Sequence, residues 1–432
     1  MAPAKRVFPF HPSSFILAPE ELPWLGQDSQ LEFNLALAFL HRAAARRQQI
    51  AAWRRFDFMT PRTTIEHCVS LAGYFYPYLL SRDDRSGLIS RLRGLNADRF
   101  FLIVERPLGD RFGLPLKVAI EEVTPCHLLT FEGGERSKHL RTVNELAEEA
   151  FGYGATRQSC VIGLGGGLTG NVAGLVAALM YRGIRLVQVP TTFLAMSDSV
   201  LSLKQTVNAG CGKNLLGTFH KPEFVWVDLG YLDTLPPQAI RSGLCELIKN
   251  VLTIIPNRYE EVAGLLSPTA VYTEPSLRRF LDLSLEAKCS VMGDDPRERR
   301  SALILEYGHT VGHALELESG GEISHGIAIG LGMLVAAKIA RGLGLLSSAG
   351  ERAHLELLER NGALASIPAP YTADRIIGRI AFDNKSGYVP RTDGFQPMIL
   401  LRELGVPAYT GEFPLTPVPV SLLREAIEEV RE

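Results

Sequence analysis

The chain has 432 residues, 46% hydrophobic and 21% charged, which is long enough for two packed cores and too apolar for disorder as its general state. Its 45 Lys plus Arg against 47 Asp plus Glu leave a net charge of −2, and no basic run tracks a nucleic-acid backbone, so the expected partner is a small molecule and not a nucleic acid. Six cysteines, scattered singly without a CxxC pair, argue against a disulfide framework or zinc knuckle and fit a reducing, cytoplasmic setting.

The opening MAPAKRVFPFHPSSFILAPEELPW has no apolar core of signal-peptide length, because prolines and Glu20 and Glu21 interrupt it, and no targeting address is expected. Residues 31–56 place apolar side chains at helical spacing opposite an Arg-rich face, which predicts an amphipathic helix within an N-terminal extension over 1–60. Helices are predicted near 64–80 and 85–95, then a strand, RFFLIVE, ending at Glu105. Strands HLLTFEGG, SCVIGLGGG and RLVQVPTT then alternate with helices over 138–152 and 170–181, which implies parallel β-α-β units. Val161 to Met180 is uncharged and about as long as a bilayer is thick. Its six glycines, with Thr169 and Asn171, read instead as a strand end, a tight loop and a buried helix start, and no membrane partner is expected.

Beyond about residue 236 helices predominate, over 237–254, 258–266, 275–292, 300–318, 325–343, 350–361, 373–383 and 420–431, with PMILLRE as the strand among them. The expected architecture is an α/β nucleotide-binding domain with a parallel sheet over 61–235, followed by a mostly α-helical metal- and substrate-binding domain over 236–432.

Gly165-Gly166-Gly167 follows the apolar CVIGL and precedes a helix, an arrangement that lets backbone approach a pyrophosphate and presents amides at a helix N-terminus. A plain tight turn fits the same glycines; Glu105, acidic at the end of an earlier strand and suited to a ribose hydroxyl, adds weight to a dinucleotide site. His309 and His313, four apart in LEYGHTVGHALE, project from one helix face, and His325 opens the next helix, so three imidazoles can converge on a metal. Glu246, three residues before Lys249 on one helix face, supplies a carboxylate in apolar surroundings. Lys204, Lys213 with Asn214, Lys249, Lys288 and Lys385 each read singly as solvated charges; together, in apolar or glycine-rich settings, they suit a cationic pocket for a phosphate-bearing substrate.

Taken in order from Glu105 to Lys385, the blocks GLGGGLTGNVAG, YRGIRLVQVPTT, DSVLSLKQTVN, GKNLLGTFHKP, TLPPQAIRSGLCELIKN and EYGHTVGHALE with SHG resemble the 3-dehydroquinate synthase superfamily of sugar-phosphate cyclases. The resemblance implies a carbon–oxygen lyase acting on a phosphate ester, with NAD and one divalent metal, Zn or Co, as cofactors. It implies metal ligands at Glu246, His309 and His325, and NAD contacts at Glu105, Glu135, Lys138, Gly166, Gly167, Asn171, Thr191 and Thr192. It further implies phosphate and substrate contacts at Lys204, Lys213, Asn214, Lys288 and Lys385, with Arg182 reaching in from the partner of a homodimer. Lys249, Glu306, His313 and Glu318 are the implied proton handlers, and Asp198 is expected to orient Lys204.

Departures from the dehydroquinate branch bear on the substrate. Asn171 stands where that branch has Asp, Leu201-Ser202-Leu203 where it has Val-Gly-Gly, Glu306 where it has Asn and Ala302 where it has Arg. Without a cation at Ala302, a carboxylate-bearing substrate loses its expected partner. The resemblance therefore shifts to the branch that turns glucose 6-phosphate into 2-deoxy-scyllo-inosose and phosphate, the first step toward 2-deoxystreptamine aminoglycosides. Its chemistry is transient oxidation by NAD, β-elimination of phosphate, re-reduction and aldol closure. The competing readings are another cyclase of the superfamily, acting on the dehydroquinate precursor or on sedoheptulose 7-phosphate, and a metal-dependent polyol dehydrogenase, which has no need of five pocket lysines.

Overall fold

The computed structural model describes residues 64–432 except 72, 211, 381–384, 386 and 391. The helix expected over 31–56 lies outside them. Where a helix is predicted near 64–80, the chain forms an antiparallel hairpin, β1 (Ile65–Leu71) and β2 (Tyr74–Ser81), paired from Ile65↔Leu80 to Leu71↔Tyr74. The aromatic-rich YFYPYLL favours a pleated, half-buried surface over a helix, and Gly73 at φ 92° takes the left-handed turn position.

The elements that follow are α1 (Arg85–Gly94), β3 (Phe100–Glu105), α2 (Leu114–Glu121), β4 (Cys126–Phe131), α3 (Leu140–Gly152), β5 (Cys160–Gly165), α4 (Gly167–Leu179), β6 (Arg185–Pro190) and α5 (Phe193–Ser197). A second hairpin, β7 (Lys204–Ala209) with β8 (Gly212–Phe219), precedes β9 (Phe224–Asp228). Among the described residues the main sheet has seven strands in the order β1-β2-β9-β6-β5-β3-β4, parallel except for β1 against β2. Its inner strands are continuous apolar runs because both faces are covered. Phe101, Ile103 and Val161 pack on α3 and α4, while Leu102, Val104 and Ile162 pack on α1 and α2. The uncharged stretch from Val161 resolves into β5, the glycine turn and α4, and no described helix is long and apolar enough to cross a membrane.

The remainder is mainly helical: α6 (Pro237–Thr253), α7 (Tyr259–Leu265), α8 (Glu274–Met292), α9 (His309–Glu318), α10 (His325–Gly342), α11 (Ser348–Arg360), α12 (Ala373–Ile380) and α13 (Val420–Val430). The single helix expected over 300–318 is two pieces. A 3-10 turn, Ser301–Glu306, is separated from α9 by Gly308, whose φ of 78° no helix interior accepts. Short strands at Phe395–Met398 and Leu401–Glu403 take the place of one PMILLRE strand, pairing with Thr416–Pro419 and Val406–Pro407.

Candidate active site

A cleft of 510 Å³ runs between the C-terminal edge of the sheet and the helices, with Gly167, Asn171, Lys204, Lys213, Glu306, His309, His313 and His325 in its walls. On the sheet side the glycine turn is held by sterics. A Cβ on Gly165 would lie 2.3 Å from Thr169 Oγ1, and one on Gly167 would lie 2.7 Å from Ser199 Oγ. Gly166, the residue before α4, offers no side-chain cap, so the first amides of that helix are open to an anion. Thr169 Oγ1 donates to Glu105 Oε1 at 2.6 Å, tying the end of β3 to α4, and Thr191 N donates to Gly165 O at 2.8 Å. Thr192 Oγ1 accepts from Ala195 N and caps α5. Asn171 is spent within the chain: Nδ2 donates to Gly167 O at 3.0 Å and Oδ1 accepts from Thr206 N at 3.1 Å, clamping β7 to α4. Lys138 donates to Asn214 Oδ1, and its burial lowers it to about 8.

On the helical side, α6, α9 and α10 touch backbone to backbone. A Cβ on Gly326 would lie 1.7 Å from Ser242 O, and one on Gly332 would lie 2.0 Å from Gly308 O. That close approach brings Glu246, His309 and His325 together. Glu246 Oε1 stands 3.6 Å from His309 Nε2 and 3.4 Å from His325 Nε2. His309 Nδ1 lies 3.0 Å from Tyr307 O and His325 Nδ1 lies 3.1 Å from Glu316 Oε2, both pure acceptors, so each Nδ1 carries a proton and each Nε2 points toward Glu246. Glu246 Oε1 is buried with no hydrogen-bond partner. Ligands about 2.1 Å from a tetrahedral ion sit about 3.4 Å apart, so this donor set fits a divalent metal. His313 belongs to the wider group, in which the ligating atoms of His309, His313 and His325 lie within 4.8 Å of one another.

The charges follow from this packing. Burial opposes ionisation of Glu246, but Lys249 at 2.5 Å, with His325 and His309, holds its carboxyl well below the usual range. Burial lowers His309 to about 4 and takes His313 well down, so both rings are neutral at pH 7. Burial opposes the charge on His325, but the facing carboxylates of Glu246 and Glu316 outweigh it and raise the ring to about 10.

The bare cationic pocket expected from the lysines is instead a lattice of alternating charge. Lys204 donates to Glu298 and has Glu306 at 3.7 Å; Lys288 meets Asp198 at 2.7 Å; Lys213 meets Glu316 at 2.7 Å and Glu135 at 3.4 Å; Lys385 has Glu306 at 4.0 Å. A buried ammonium needs a counter-charge, which the low-dielectric floor enforces. Asp198 therefore orients Lys288, across from it on α8, and the direct partner of Lys204 is Glu298. Glu318 does not face the cleft. It is bound by Arg375 and Arg379 of α12, and Glu316 is the acidic residue of α9 that lines the cleft. Arg182 is exposed, at φ 69° beside Tyr181 at φ 51°, and lines none of its own chain's cleft.

Three charged residues of the cleft wall, Arg297, Glu298 and Glu316, are not among the site residues expected from the sequence. Glu298 is buried at φ 50°, Arg297 stacks 5.5 Å over the Phe219 ring of β8, and Glu316 links His325 to Lys213.

Residues 128–242 match the family model of the 3-dehydroquinate synthase N-terminal domain and residues 243–386 that of its C-terminal domain. A glycine-turn sheet facing a helical His/Glu cluster is thus of the dehydroquinate-synthase class. Within that class, the chain is 45% identical over 362 residues to the 2-deoxy-scyllo-inosose synthase of Streptomyces fradiae, covering 84% of each chain. It is equally 45% identical over 362 residues to that of Streptomyces ribosidificus, covering 84% of this chain and 93% of the relative. A crystal structure of 2-deoxy-scyllo-inosose synthase complexed with carbaglucose-6-phosphate, NAD+ and Co2+ superposes with a TM-score of 0.79 at 38% identity, covering 85% of this chain and all of that one. The chain belongs to the 2-deoxy-scyllo-inosose synthase family.

Proposed function

We propose that the protein is a carbon–oxygen lyase that converts glucose 6-phosphate into 2-deoxy-scyllo-inosose and phosphate with no net redox change, working as a homodimer. The observation that carries this reading is the junction of three features in one cleft: the open amides of α4, the Glu246–His309–His325 cluster, and Lys204 set beside Glu306 between them. Family membership at 45% identity and the cofactors of the related crystal structure support it. When bound, NAD supplies a reversible hydride acceptor and a divalent metal on Glu246, His309 and His325 supplies a Lewis acid for the hydroxyl being oxidised.

The chain's own residues do the rest. The α4 amides and Lys138 take the dinucleotide's anionic centre, and Glu105, held by Thr169, stands at the strand end that faces its ribose. Lys204 meets the leaving phosphate, trading a carboxylate partner for a phosphate one, with Asn214 and Lys385 beside it and Arg182 arriving from the second subunit. The substrate's phosphate takes the neighbouring carbon-bound proton as it departs. Burial works against the charge on Glu306, yet His309, Lys204 and Lys385 keep it ionised, so it can accept a hydroxyl proton during ring opening and aldol closure. Neutral His313 is poised to relay that proton, and Lys249 holds the charge on Glu246 in place. Free thiols at the described cysteines suit work in a reducing compartment.

Glucose 6-phosphate, NAD and Co2+ should yield equal amounts of phosphate and carbocycle by NMR, and Lys204→Ala should stop phosphate release. A wild-type protein that accumulates NADH on an unphosphorylated polyol, without releasing phosphate from glucose 6-phosphate, contradicts the reading. Sedimentation as a monomer contradicts the dimer.

A further inference from the structure

Glu316 sits seven residues after His309 on α9, on the face that carries His313, and its carboxylate touches two side chains from opposite walls of the cleft. Oε2 accepts from His325 Nδ1 at 3.1 Å, and Oε1 accepts from Lys213 Nζ at 2.7 Å. Lys213 stands on β8 and also faces Glu135 Oε1 at 3.4 Å, on the turn after β4; that same oxygen accepts from Asn208 Nδ2 at 2.7 Å. A continuous chain of charged contacts therefore joins an imidazole of the metal cluster to the turn assigned to NAD. Neither end of the central pair is a free surface charge: the Glu316 side chain is 13% exposed and that of Lys213 is 16% exposed.

We propose that Glu316 is a positioning residue for His325, and that the Glu316–Lys213–Glu135 link makes metal and dinucleotide each tighten the binding of the other. The inference rests on the reading of the cleft as an NAD and metal site. A carboxylate that only accepts keeps the His325 proton on Nδ1 and leaves Nε2 directed at Glu246, 3.4 Å away. Holding that ring also holds Glu316, then Lys213, then the Glu135 turn, so the first ligand bears an ordering cost that the second does not meet again. The coupling is reciprocal by thermodynamic necessity.

The test titrates the full chain with Co2+, followed by its visible absorption, with and without saturating NAD, and titrates NAD calorimetrically with and without Co2+. In the wild type each ligand should raise the affinity of the other by the same factor, about tenfold. Glu316→Gln should weaken Co2+ binding by about 10–100-fold, alter the Co2+ spectrum and reduce the coupling factor to about one. Lys213→Met should leave Co2+ affinity without NAD near that of the wild type while also losing the coupling, and Lys213→Arg should keep it. Wild-type Co2+ affinity and spectrum in Glu316→Gln, or wild-type coupling in Lys213→Met, overturns the proposal. A wild-type protein that binds both ligands without coupling overturns the link alone; one that binds neither overturns the site reading as well.

Discussion

The two walls of the cleft recognise their ligands with different materials. The sheet side works with main chain: Gly165 to Gly167 clear a path to the α4 amides, and the side chains around them are occupied, Glu105 with Thr169 and Asn171 with Gly167 O and Thr206 N. The helical side works with ionisable groups, Glu246, Lys249 and His309 buried and His313 and His325 half-buried, each perturbed by its packing and its neighbours. A main-chain site tolerates changes of charge and pH but no added Cβ. A side-chain site depends on every proton and ligand atom. The division of labour between cofactor and metal follows from that contrast, and each of the following changes probes one wall.

The largest effect is expected from His309→Ala, which opens the cluster while leaving the glycine turn intact. Activity should fall by about 10³-fold or more in kcat/KM, and the bound metal should be lost by elemental analysis. Wild-type turnover would break the account of the helical wall. Next come two glycines, one per wall. Gly332→Ala forces a Cβ against Gly308 O and should cost about 1–3 kcal/mol in denaturant unfolding while weakening metal retention. Gly167→Ala meets Ser199 Oγ and should weaken NAD binding by about tenfold, roughly 1.4 kcal/mol, with metal content unchanged. If the two variants exchange phenotypes, the contrast fails.

A smaller, pH-dependent effect comes from behind the helical wall. His354 is fully buried, with Nε2 2.9 Å from Tyr307 Oη and Nδ1 2.7 Å from Gly350 O, and burial lowers it to about 4. The unfolded chain takes up a proton near pH 6.5 that the folded chain refuses until about 4. Stability is therefore full above the unfolded value and is lost as pH falls from there toward 4. The denaturant midpoint should drop between pH 7 and pH 5, and His354→Gln should flatten that slope. The smallest effect is expected at Glu318. Tied to Arg375 and Arg379 away from the cleft, it can become Gln with kcat/KM within about twofold. A large loss there would return it to the proton-handling role that its sequence neighbourhood suggests.

Much of the sheet wall was legible because its signals are local. CVIGL followed by three glycines, and strands alternating with helices, need no partner to be recognised. The β1–β2 hairpin is not legible as strand in the sequence because β1 alternates weakly and gains its shape from pairing with β2, which itself lies on β9. On the helical wall the His309, His313 and His325 spacing was readable, and so was Glu316. At about 100° per residue, position 316 falls on the face of His309, whereas 318 falls on the opposite side. The partners of the lysines were not readable. Glu298 reaches Lys204 across 94 residues of chain, through a left-handed turn that no short-range pattern announces, and Asp198 reaches Lys288 across 90. Long-range ion pairs of this kind are set by how the elements dock.

The central claim is that both walls act on one sugar phosphate within one turnover, taking a hydride and giving it back. Glucose 6-phosphate deuterated at C4, incubated with the protein, NAD and Co2+ and followed by NMR, tests it most directly. The account predicts 2-deoxy-scyllo-inosose that retains its deuterium, one phosphate per product and no lasting NADH. Deuterium accumulating in NADH, or product formed with the label washed out, would contradict it.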